Sequence, residues 1–69
     1  MNSKEIGTLI RKRRMSLQID QHTLSEISGI AVHTMSNIEA GKGNPTVATL
    51  DRVLNALGMQ LRIQIKEQE

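Results

Sequence analysis

Cysteine, phenylalanine, tyrosine and tryptophan are all absent from this 69-residue chain. Without cysteine there is neither a disulfide framework nor a thiolate metal site, which fits a reducing compartment. Without aromatic rings there is no stacking platform for single-stranded nucleic acid, and the core is left to Leu, Ile, Val and Met. No apolar run approaches the length of a membrane span, and "MNSKEIGTLIRKRR" lacks the apolar stretch and cleavage site of a secretion signal. A soluble, cytoplasmic protein with no membrane partner is expected. The four methionines, Met1, Met15, Met35 and Met59, are expected to fill gaps in the aromatic-free core.

Catalytic groupings are missing as well. No serine sits in a nucleophile elbow and no glycine loop resembles a phosphate cradle. His22 and His33 lack the cysteine and carboxylate partners of a metal site, so no metal, cofactor or enzymatic activity is expected. A core this small also leaves little room for a substrate cavity.

The charge is informative where it sits. Net charge is only +2, but Glu67 and Glu69 supply two of the seven acids, so residues 1–66 hold nine basic groups against five acidic ones. Four of the nine are consecutive, Arg11 to Arg14. That balance suits an anionic partner, although such a run is also what a solvated helix face looks like.

Apolar spacing predicts four helices. Ile6, Leu9, Ile10 and Leu17 define the first, from Ser3 to about Ser16, with Ser3 as its cap. Asp20 caps a second through about Ser28, with Leu24 and Ile27 inward and Gly29 as its stop. The third runs from about Val32 to Ala40 and ends at Gly41. After the loop "GKGNP", Thr46 caps a fourth over Val47–Leu57, whose stripe is Val47, Leu50, Val53, Leu54 and Leu57, with Gly58 as its stop. Beyond Gly58 the period becomes two: Met59, Leu61, Ile63 and Ile65 alternate with polar residues, the pattern of a half-buried strand.

Two short helices joined by a glycine-containing turn are the pattern of a helix-turn-helix, though also of an ordinary αα-corner. The third helix adds to it. In steps of 100°, Met35 and Ile38 fall on one side, while His33, Ser36, Asn37 and Ala40 cluster on the other. An outer face that is small, neutral and polar, where Glu and Lys are usual, can approach base edges and hydrogen-bond to them. Phosphate contacts are expected from elsewhere: from Gln21 at the start of the second helix, where backbone N–H groups and the helix dipole favour an anion, from Thr34, and from Lys42 and Asn44 in the following loop. His22 is read as a surface residue near the backbone.

"IRKRRMSLQIDQHTLSEISGIAVHTMSNIEAGKGNPTVATLDRVLNALGM" resembles the lambda-repressor-like, Xre-type helix-turn-helix domain. The resemblance is carried by Arg14, Gln21, Leu24, Gly29, Ile38 with Glu39, Gly41, Pro45, Leu50 and "ALG" at 56–58. It implies a mainly α, four-helix DNA-binding domain in which Val32, His33, Ser36 and Asn37 lie toward the major groove. It also implies that Gln21 contacts phosphate and braces the reading helix, and that Arg14 and Glu39 form a structural ion pair. Two positions depart from the pattern. Ala31 stands where a capping Ser or Thr is usual, which weakens the third helix's start by about 1 kcal/mol, and Gln18 occupies the usual glycine position of the turn before the second helix.

The domain is expected to occupy residues 1–58, a dimerisation strand residues 59–66, and a tail residues 67–69. A lone strand needs a ladder, so its partner is expected from a second copy across a two-fold axis, with Met59, Leu61, Ile63 and Ile65 in the interface. A strand after the fourth helix resembles HipB-like antitoxins. Two compatible functions are therefore expected: first a dimeric, sequence-specific repressor of double-stranded DNA, and as the alternative an antitoxin or adaptor whose main partner is a protein such as a HipA-like kinase toxin, with autoregulatory DNA binding. Val32 can meet a thymine methyl where the reading helix begins.

Overall fold

The computed structural model describes residues 1–67, which form four helices: α1 (Ser3–Ser16), α2 (Gln21–Ser28), α3 (Val32–Glu39) and α4 (Val47–Ala56). Three of the four starts carry a side-chain cap. Asn2, rather than Ser3, caps α1, its Oδ1 accepting the Glu5 N–H at 2.9 Å. Asp20 accepts from Thr23 N–H at 2.7 Å, and Thr46 Oγ1 from Thr49 N–H at 3.0 Å. Ala31 offers α3 no such bond.

Helix ends are closed by a shared device. At α1, α3 and α4 the chain turns through a left-handed residue, and two backbone bonds reach back into the last turn. They are Gln18 N–H to Met15 and Ile19 N–H to Arg14, then Gly41 N–H to Ile38 and Lys42 N–H to Asn37, then Gly58 N–H to Asn55 and Met59 N–H to Leu54. These paired bonds satisfy carbonyls that would otherwise be orphaned. Gln18, at φ 58°, is the single non-glycine residue with positive φ among those described.

Ile10, Leu24, Ile30, Met35, Ile38, Val53, Leu54 and Leu57 form one buried cluster, with Ile6, Ile19, Leu50, Ala56 and Met59 packed at its edge. α3 packs on α1 and α2, and α2 packs on α4. Gly7 is where α1 comes closest to α3: a Cβ there would stand 2.3 Å from the Ile38 carbonyl oxygen and 2.7 Å from that of Glu39.

Several sequence expectations are corrected. Ile27 is 58% exposed, because the inward side of α2 is set by Leu24, Ser25 and Ser28, and Ile27 lies about 100° away from it. Val47 lies at the solvent end of the α4 stripe and is also exposed. Of the methionines only Met35 is buried; Met59 is half-buried, and Met1 and Met15 face solvent. The largest correction concerns the C-terminal segment. No β-strand occurs among the described residues, so the fold is four helices without the expected strand at 59–66. A strand exists only where its N–H and C=O groups find a ladder, and no other described segment supplies one. The alternating residues Leu61, Ile63 and Ile65 are instead carried outward on irregular chain, Ile63 at 91% and Ile65 at 95% exposure. The likeness to HipB-like antitoxins rested on that strand and loses its structural basis. Of the expected tail, Gln68 and Glu69 lie outside the described residues.

Candidate nucleic-acid interface

The position of α3 follows from what its inner side touches. Met35 and Ile38 are buried in the core, and the Glu39 carboxylate is gripped from two other helices. Arg14 of α1 donates through Nε to Oε2 at 2.7 Å and through Nη2 to Oε1 at 3.0 Å, a two-pronged pairing with the side chains 12% and 3% exposed. A third donor, Gln21 Nε2 at the start of α2, reaches Oε1 at 3.2 Å. Arg14 spends a further N–H on the Ile19 carbonyl at 2.8 Å. The Glu39 hydrogen bond holds the Arg14 guanidinium above its ordinary value, so this charge stays in place at every physiological pH. Buried charges are tolerated when they are paired and their remaining donors are satisfied. That condition is met: no buried side-chain polar atom among the described residues lacks a partner.

The turn between α2 and α3 is fixed by residues that sequence reasoning passed over. Ser25 Oγ donates to the Ile30 carbonyl, and Ser28 Oγ accepts the Ile30 N–H at 3.3 Å. Two small polar residues three apart on the inward side of α2 were the available indication. From α4, Arg52 Nη2 reaches the Gly29 carbonyl at 3.5 Å.

The outer side of α3 carries His33, Thr34 and Ser36 exposed, Asn37 half-buried, and Val32 at 41% exposure. No charged side chain stands among them. Because the Gly41 turn folds the loop back along α3, Thr34, Asn37, Lys42, Gly43 and Asn44 line one surface hollow, floored by Ile38 and Pro45. His33 joins this group through Asn37, whose Nδ2 lies 3.5 Å from His33 Nε2 one turn away. The hollow offers hydroxyl, carboxamide and ammonium groups within one patch, a donor-rich lining suited to an oxyanion or to the polar edge of a base.

Gln21 stands apart from that hollow, its amide engaged by Glu39. The start of α2 beside it is already occupied, since the Asp20 carboxylate takes the Thr23 N–H there. That backbone bond, helped by the Thr23 hydroxyl, pulls the Asp20 pKa below the usual carboxylate range. An anion approaching the dipole of α2 therefore meets a negative charge already in place. His22, in the first turn of α2, pairs with Glu26 at 3.1 Å. The basic run of α1 is also partly committed: Arg14 to Glu39, and Arg13 Nε to the Leu57 carbonyl at the end of α4, at 2.9 Å. Of that run, Arg11 and Lys12 alone stand at the surface without a side-chain partner among the described residues. No helix among these residues is long and apolar enough to cross a membrane.

A family model described as Helix-turn-helix matches residues 10–64, most of the chain. The chain belongs to the Xre-type helix-turn-helix family. In this helix-turn-helix domain α2 and α3 are the paired helices and residues 29–31 the turn. The family is one of DNA-binding regulators, not of enzymes, and DNA binding comes to the chain with it. No curated protein matches the chain.

Proposed function

We propose that the protein is a sequence-specific repressor that binds double-stranded DNA as a homodimer, each copy laying α3 in the major groove of one half-site. The observation that carries this reading is the division of α3 into a locked inner side and an uncharged, polar outer side beside a hollow edged by Lys42. Val32, His33, Ser36 and Asn37 are assigned to the bases. Thr34, Lys42 and Asn44 are assigned to phosphates, with Gln21 contacting phosphate through the part of its carboxamide that Glu39 leaves free. Separate surfaces for holding and for reading are what sequence-specific recognition requires. The exposed apolar side chains Leu61, Ile63 and Ile65, with half-buried Met59, support association of two copies through the segment after α4. Half-sites are then expected about one helical turn apart, or a multiple of it.

Selection of bound duplexes from a random pool tests this reading directly, since it reports binding, half-site symmetry and spacing together. Against the selected operator, Gln21→Ala with Asn37→Ala is expected to weaken binding by at least tenfold, in line with about 1–3 kcal/mol for a good base contact. Unchanged affinity would show that the reading surface is misassigned. The antitoxin reading has no comparable observation behind it once the strand is removed.

A further inference from the structure

His33 and Asn37 are one turn apart on the outer side of α3, with Asn37 Nδ2 3.5 Å from His33 Nε2, a separation that a small side-chain rotation closes to an ordinary hydrogen bond. An asparagine can present either of two edges to the groove, and only one suits adenine. The carboxamide must offer Oδ1 to the adenine N6 amino group and one Nδ2 proton to N7. Those two atoms lie on one edge of the amide, and the remaining Nδ2 proton points away from it. An acceptor placed beside that remaining proton holds the amide in the adenine-reading orientation.

Resting on the proposed function, the geometry points to His33 as a positioning residue that sets Asn37 to read adenine, with neutral His33 Nε2 accepting the Nδ2 proton not used on the base. Protonated imidazole has two N–H donors and no acceptor. It therefore repels the Asn37 amino group and attracts Oδ1, turning the amide over so that Oδ1 and Nδ2 exchange places on the groove-facing edge. On that reversed edge a donor meets the adenine N6 amino group and an acceptor meets N7, so adenine is no longer favoured. Of the charged groups on neighbouring elements two are committed elsewhere, while Lys42 lines the same hollow as Asn37. On α2, His22 pairs with Glu26; on α1, Arg14 is bound to Glu39 on the buried side of α3; Lys42 lies in the loop beyond. No salt bridge reaches His33 among the described residues.

Two measurements on the full chain test the assignment. In the free protein, lowering the pH from ~8 to ~5.5 is expected to shift the side-chain amide resonances of Asn37. In His33→Ala they are expected to stay flat over the same range. With duplexes differing only at the base pair met by Asn37, the adenine preference is expected to fall roughly tenfold from the higher pH to the lower. His33→Ala is expected to lose that preference at both values. His33→Gln, whose carbonyl accepts at any pH, is expected to keep it at both. A wild-type preference that ignores both pH and His33→Ala overturns the inference alone. A chain that selects no duplex at either pH overturns the proposed function and this inference together.

Discussion

Gln18 shows how much one backbone position can cost. It turns the chain between α1 and α2 at φ 58°, a conformation in which an L side chain crowds its own carbonyl, worth about 1–2 kcal/mol. The turn persists because Gln18 and Ile19 N–H groups close the end of α1, and because Arg14 holds the Ile19 carbonyl. Glycine would remove the crowding but loses about 0.5–1 kcal/mol more chain entropy on folding. The difference predicts that Gln18→Gly raises the stability to urea by up to about 1.5 kcal/mol, with an unchanged denaturant slope. A loss of stability would show that the glutamine side chain makes a contribution larger than its strain. The residue was conspicuous in the sequence as a departure from the glycine usual there, and its positive φ supplies the physical reason that glycine is usual.

At the scale of elements, the helices were legible because their ends are written in short-range chemistry: Asp20 and Thr46 before a helix, Gly29, Gly41 and Gly58 after one. Which side chains face inward was less legible. Ile27 and Val47 are apolar yet exposed, while Ser25 and Ser28 are polar yet buried, because the α2 turn needs hydroxyls at the Ile30 backbone. The approach of two helices was not legible at all. Gly7 lies in mid-helix, where glycine costs about 1 kcal/mol relative to alanine, yet a methyl group there would enter the backbone of Ile38 and Glu39. Overpacking of that kind costs about 1–3 kcal/mol and here must be relieved by moving a helix rather than a side chain. Gly7→Ala is therefore expected to destabilise the fold by roughly 1–2 kcal/mol despite its better helix propensity. It should also weaken operator binding more than stability alone explains, since the end of α3 is what moves. A gain in melting temperature would refute the close approach of α1 and α3.

For the whole molecule, the deciding question is what the segment after α4 does with its apolar side chains. Alternation at Leu61, Ile63 and Ile65 is a local pattern, whereas a strand is a relation between two segments, which is why the pattern alone misled. Burying Ile63 and Ile65 on both copies of a dimer would contribute roughly 6–12 kcal/mol, at about 1.5–3 kcal/mol per side chain. Association costs about 4–15 kcal/mol in lost freedom. The two terms nearly cancel, so the proposed dimer should be weak and dependent on concentration in the absence of DNA. Two half-sites on one duplex raise the effective concentration of the second copy, and operator binding should then be steeper than binding to a half-site. Ile63→Lys with Ile65→Lys removes the apolar gain without touching α3. The expected result is a monomer at every concentration by light scattering, an operator affinity reduced at least tenfold, and an unchanged affinity for an isolated half-site. If the doubly substituted chain still dimerises and binds the operator as tightly, association lies on another surface, and the exposed apolar groups of residues 61–65 serve some other contact.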